Sequence, residues 1–133
     1  MKTHYSKTVL PMKTAVQIAR VLLGLIFLVI GLNGFYTFIP VPEYHPFMEI
    51  MVTSGLILFV KAIEVMAGLL LLLNRFVLAA LLLLGPVVVN IALFHLLIDH
   101  RNWPIAIVNL LLYGILVINY WQYFKVFLQP KLN

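Results

Sequence analysis

IMVTSGLILFVKAIEVMAGLLLLLN, residues 50–74, is long enough to cross a bilayer, yet it carries Lys61 and Glu64. A crossing needs about 20 predominantly apolar residues. Each ionisable side chain near the centre of a span costs about 2.5–3.5 kcal/mol on insertion scales. Such groups are therefore expected to face other helices and to find partners there. Lys61 and Glu64 are three residues apart and share one helix face, with Gly68 one turn further on. A segment of this kind needs neighbours.

The neighbours are visible on either side. Residues 21–39, 76–98 and 102–124 contain no Asp, Glu, Lys or Arg. Four transmembrane helices are expected, at about 15–39, 50–73, 76–98 and 104–125. A tail of residues 1–14 precedes them and a tail of residues 126–133 follows. Pro40-Val41-Pro42 stops the first span, because proline lacks an N–H and restricts the residue before it. Asn74-Arg75 reads as a tight turn, Asp99 to Asn102 as a third loop, and Pro104 suits the first turn of the last helix. Ser54-Gly55 offers an alternative break, which would leave a short interfacial helix before a shorter second span. Short connections make the expected fold an all-α, four-helix up-and-down bundle.

The bulk composition agrees. Of 133 residues, 64% are hydrophobic and 10% charged, with a mean hydropathy of +1.10. Soluble domains average about 45–50% apolar and about 25% charged. A chain of this size cannot hide so much apolar surface from water. A soluble enzyme, a nucleic-acid-binding module and a disordered tail are excluded. Cysteine is absent, so disulfides, thiolate chemistry and cysteine-ligated metals are excluded as well. The first apolar run is too long for a cleavable signal peptide. Lys2, Lys7, Lys13, Arg75, Lys125 and Lys131 fall on one side, against Arg101 with Glu43, Glu49 and Asp99 on the other. The positive-inside rule then places both termini in the cytoplasm of a cell-membrane protein.

Two groups of polar residues are candidate sites. Arg20, Lys61 and Glu64 are expected to form a buried ionic cluster. Arg20 shares its helix side with Gly24, Gly31 and Gly34, and such a stripe lets backbones approach closely. The cluster either fixes helix register or serves as a ligand or proton site. Asn33, Asn90, His95, Asn109 and Tyr113 are candidates for an outer polar pocket. His95 and Asp99 lie four apart, but a metal site needs more ligands than that spacing supplies, and no metal is expected. Gly85-Pro86, inside the third span, is read as a static kink. Phosphate loops, His-Glu-x-x-His and nucleophile elbows are missing from the sequence.

Three segments together resemble the DoxX family. They are RVLLGLIFLVIGLN (20–33), KAIEVMAGLLLLL (61–73) with Arg75, and PVVVNIALFH (86–95). The resemblance covers about residues 15–125. Many members have Gly where this chain has Asn74. The resemblance implies a small four-helix membrane protein of the kind found as subunits of membrane redox systems, with Arg20, Glu64, Asn90 and His95 at positions the family would use. The expected role is an accessory or anchoring subunit with redox-complex protein partners, in contact with membrane lipids and without nucleic acid. A homo-oligomer is compatible with it. Two alternatives stand beside it. One is a quinone-interacting oxidoreductase component, with quinone at the Arg20, Lys61 and Glu64 group. The other is a small-solute or lipid-handling protein using the outer pocket. No cofactor other than quinone is suggested.

Overall fold

A computed structural model describes the backbone of residues 2–132 and the side chains of residues 13–132. The described chain is helical without strands. Helix α1 spans Lys2–Phe35, α2 Glu49–Thr53, α3 Leu56–Leu73, α4 Val77–Leu93, α5 Trp103–Asn119 and α6 Trp121–Phe124. Among the described residues, four stretches are long and apolar enough to cross a membrane: Lys13–Phe35, Leu56–Leu73, Val77–Ile98 and His100–Asn119. This is the architecture of a multi-pass membrane protein. The helix α1 packs on α3 and α5, α3 on α4, and α4 on α5, which closes a ring of four spans.

The boundaries depart from expectation in several places; the last span, expected at about 104–125, stops at Asn119, where Tyr120 leaves helical geometry with φ −99° and ψ 17° before the short α6. The segment expected as a tail, 1–14, is helical from Lys2. Hydropathy marks where a chain can lie in hydrocarbon, and a helix can project beyond that limit. The side chains of Lys2 and Lys7 lie outside the described residues. At its other end α1 stops at Phe35, four residues short of the expected 39. The Asn33 side chain takes over there: its Oδ1 accepts from the N–H groups of Phe38 at 2.9 Å and Ile39 at 2.8 Å, and its Nδ2 donates to the Ile39 carbonyl at 3.1 Å. A side chain that satisfies backbone groups in this way offers the chain a way out of the helix.

A further departure is the break at Ser54-Gly55. Gly55 has φ +79°, a left-handed conformation that glycine adopts without steric cost. The segment 50–73 is therefore a short helix, α2, followed by an 18-residue span, which is the alternative form of the sequence reading. Another is the end of α4. Its last turn, Phe94–Ile98, is π-helical, with the Asp99 N–H bonded to the Phe94 carbonyl at 2.8 Å. The loop before α2 docks on this turn, with the Phe94 ring 5.8 Å from Phe47 and 6.1 Å from His45.

The turn after α3 is short because two consecutive carbonyls are bonded from beyond the helix end. Asn74 N–H meets Leu71 O at 3.2 Å, and Arg75 N–H meets Leu70 O at 3.0 Å. Asn74 itself has φ 54°. Asparagine and glycine are the residues that tolerate this conformation best, so Asn74 fills a position that glycine would also suit.

The core is a narrow stripe from each span: Ala19, Leu23 and Phe27 of α1; Ala67 and Leu71 of α3; Ala80, Leu81, Leu84 and Val88 of α4; and Leu116 of α5. Many large apolar residues point outward instead, among them Leu22, Leu25, Val29, Leu69, Val89 and Leu111. Water would oppose such a surface, whereas lipid does not.

Candidate functional site

The contact between α1 and α3 is the most extensive in the molecule, and glycine makes it. A Cβ on Gly68 would stand 2.7 Å from the Leu28 backbone nitrogen and 2.8 Å from the Gly24 carbonyl oxygen. One on Gly31 would stand 2.8 Å from Val65 Cγ2 and 3.1 Å from Glu64 Cβ. On Gly34 it would overlap the Lys61 stem. The two helices thus run antiparallel in one fixed register. Gly34 faces Lys61, Gly31 faces Glu64 and Val65, and Gly24 faces Gly68 and Leu72.

That register places the charges. With its methylenes lying across Gly34, Lys61 brings Nζ to 3.1 Å from Glu64 Oε2. The Glu64 side chain is 3% exposed and that of Lys61 18%. The two share one helix face, as their spacing indicates, with Glu64 buried and Lys61 partly so. Arg20 is placed differently. Its Nη1 donates to the carbonyl oxygens of Leu71 and of Leu72, the latter at 3.4 Å. Those carbonyls belong to the last turn of α3, where the helix dipole presents partial negative charge. Leu71 is seven residues from Glu64, or about 10 Å along the helix axis. Arg20 therefore caps α3 and does not complete a cluster with Lys61 and Glu64. The expected triad is an ion pair and a separate cap.

The outer polar candidates do not converge on one pocket. Asn33 is spent on the end of α1. Asn90 is exposed, and its Nδ2 donates to the Pro86 carbonyl at 2.8 Å. His95 Nδ1 lies 3.1 Å from the Asp99 carbonyl oxygen, and His100 Nδ1 lies 3.2 Å from the His95 carbonyl oxygen. Asn109 and Tyr113 point inward from α5. Asn109 is 1% exposed, and its Oδ1 has no hydrogen-bond partner among the described residues. Tyr113 donates its hydroxyl to the Leu81 carbonyl of α4 at 2.6 Å. A Cβ on Gly85 would stand 3.0 Å from that hydroxyl, so the glycine of Gly85-Pro86 makes room for the tyrosine. Tyr113→Phe is expected to cost about 1 kcal/mol of stability, read as a lower melting temperature in detergent micelles.

Asp99 turns its carboxylate to Arg101. It accepts Nη2 at 2.6 Å, Nε at 2.9 Å and the Arg101 backbone N–H at 3.2 Å. The guanidinium hydrogen bonds hold the Asp99 carboxyl well below the usual aspartate range. A group whose folded pKa is depressed stabilises the fold above its unfolded pKa, about 3.9 for aspartate, and loses that contribution as pH falls below it. The melting-temperature gap between the wild type and Asp99→Asn is therefore expected to be constant from pH 7 to about pH 5 and to narrow below about pH 4.

One feature was not read from the sequence. A cleft of about 460 Å³ opens where α1, α3 and α5 meet, lined by Lys13, Val16, Gln17, Arg20, Asn74, Asn119 and Tyr120. Its signal was available: Lys13, Gln17 and Arg20 recur at the spacing of one helix face, at the end of the bundle where α3 and α5 stop on asparagines.

Comparison with protein-family models, curated proteins and solved structures finds no match for this chain.

Proposed function

We propose that the protein is an accessory, anchoring subunit of a membrane-associated redox system, of the DoxX-like kind. The observation that carries the reading is the use of charge inside the spans. Lys61 and Glu64 neutralise each other at 3.1 Å, Arg20 caps α3, and glycine contacts fix both in register. Arranged this way, the charged groups hold two helices together, as expected of a scaffold. An apolar groove of about 470 Å³ runs along α3, lined by Phe35, Ala62, Val65, Met66, Leu69, Leu70 and Leu73. It supplies a face on which a partner's transmembrane helix packs without desolvating polar groups. In this reading the protein resides in the cell membrane with both termini in the cytoplasm, following the placement of Lys13, Arg75 and Lys125.

The test is purification from native membranes in mild detergent with the protein as bait. The expected result is stoichiometric recovery of a protein carrying a flavin, haem or quinone-reducing activity, which Met66→Lys in the groove removes. Recovery of the bait alone, or of partners indifferent to Met66→Lys, overturns the reading.

A further inference from the structure

The cleft between α1, α3 and α5 is unusual in its charge. Lys13 and Arg20 line it together with the polar side chains of Gln17, Asn74, Asn119 and Tyr120. The chain has four acidic residues in all, and none lines the cleft. Glu64 is held by Lys61 and Asp99 by Arg101, while Glu43 and Glu49 flank the loop at the other end of the bundle. Lys13 and Arg20 therefore have no acidic counter-ion among the described residues. Arg20 is also 9% exposed, so one of the two cations lies deep in the wall.

Charge bookkeeping selects the ligand. Two full positive charges face the C-terminal ends of α3 and α5, each equivalent to about half a negative charge. About one unit of positive charge is left. That balances the single charge of a phosphodiester better than the double charge of free phosphate. Depth selects the source. Arg20 lies within a stretch of α1 apolar enough to cross a membrane, and Lys13 stands seven residues, or about 10 Å, nearer that end of the bundle. The cleft lies where α3 and α5 end, at Asn74 and Asn119, and the ends of membrane-crossing helices are where a bundle meets lipid headgroups. A zwitterionic headgroup would bring its own ammonium against Lys13, which disfavours it.

We propose that this cleft binds the phosphodiester headgroup of an anionic phospholipid, held by Lys13 and Arg20 with amide and phenol donors from α1, α3 and α5. Basic pockets between membrane helices recognise headgroups through the same chemistry.

The test uses the full chain in an uncharged detergent, with native mass spectrometry counting lipids retained per chain. Phosphatidylglycerol is expected to bind saturably with one molecule per chain, and phosphatidylcholine at least about fivefold more weakly. Lys13 is exposed and has no ion-pair partner among the described residues, so Lys13→Gln tests the site without removing the cap on α3; gel filtration confirms that it folds. It is expected to weaken phosphatidylglycerol binding about fivefold. Lys125→Gln removes the same charge near the same end but outside the cleft, and is expected to leave binding unchanged. Millimolar inorganic phosphate is expected not to displace the lipid. Equal binding of phosphatidylcholine, or equal losses from Lys13→Gln and Lys125→Gln, would overturn the proposal. Displacement by inorganic phosphate would assign the cleft to a soluble anion and overturn the lipid assignment.

Discussion

Lys61→Met is expected to destabilise the bundle by about 3–5 kcal/mol, and the further change Glu64→Met to return most of that loss. The single variant leaves a carboxylate that is 3% exposed without its cation, inside a stripe lined by Gly31 and Val65. A buried charge without a partner bears its full desolvation cost. The double variant removes the charge as well, and methionine follows the path of either side chain with little change of volume. Unfolding in mixed micelles by increasing denaturing detergent, followed by circular dichroism, provides the measurement. A single variant as stable as the wild type would show that the ammonium at 3.1 Å contributes nothing. A double variant as unstable as the single one would show that the pair matters for its shape and not for its charge.

Much of this was legible in the sequence, and the boundary of legibility has a physical origin. Within one helix, spacing fixes which residues share a face. Spacing alone puts Lys61 and Glu64 on one face, whereas Ser54-Gly55 stood only as an alternative to an unbroken helix over 50–73. Between helices, position depends on register, and register depends on which glycine lies under which side chain. Arg20 was expected beside Glu64 because the glycines on its side of α1 turn it toward the packed interface. The contacts of Gly24 with Gly68 and Leu72 slide α3 so that its carbonyl end, and not its carboxylate, lies level with Arg20. Residue type alone also misleads for asparagine. Asn33, Asn90 and Asn109 look alike in sequence, yet one ends a helix, one bonds the carbonyl four residues back, and one is buried with its Oδ1 unpaired among the described residues. The cleft escaped notice because its walls come from residues 13–20, 74 and 119–120, which only the closed ring of spans brings together.

Gly68→Ala is expected to cost about 1–3 kcal/mol, whereas Gly114→Ala is expected to be neutral or to stabilise by up to about 1 kcal/mol. Both place a methyl group on a glycine within a span, so their helix propensities change alike. What differs is the space. Around Gly114 nothing lies within 4 Å of the new carbon. Around Gly68 the nearest atoms are the Leu28 nitrogen at 2.7 Å and the Gly24 oxygen at 2.8 Å. Backbone atoms cannot rotate aside as a flexible side chain can, so α1 and α3 have to separate. Separation propagates along the whole antiparallel contact, lifting the Lys61 stem from Gly34 and drawing Arg20 away from the Leu71 and Leu72 carbonyls. Gly68→Ala should therefore reduce the effect of a second change, Arg20→Gln, below its effect in the wild type. A double-mutant cycle on the same unfolding assay measures this coupling. Equal stability of the Gly68→Ala and Gly114→Ala variants would mean that the two helices do not meet at Gly68, and the register that positions both the ion pair and the cap would fail with it.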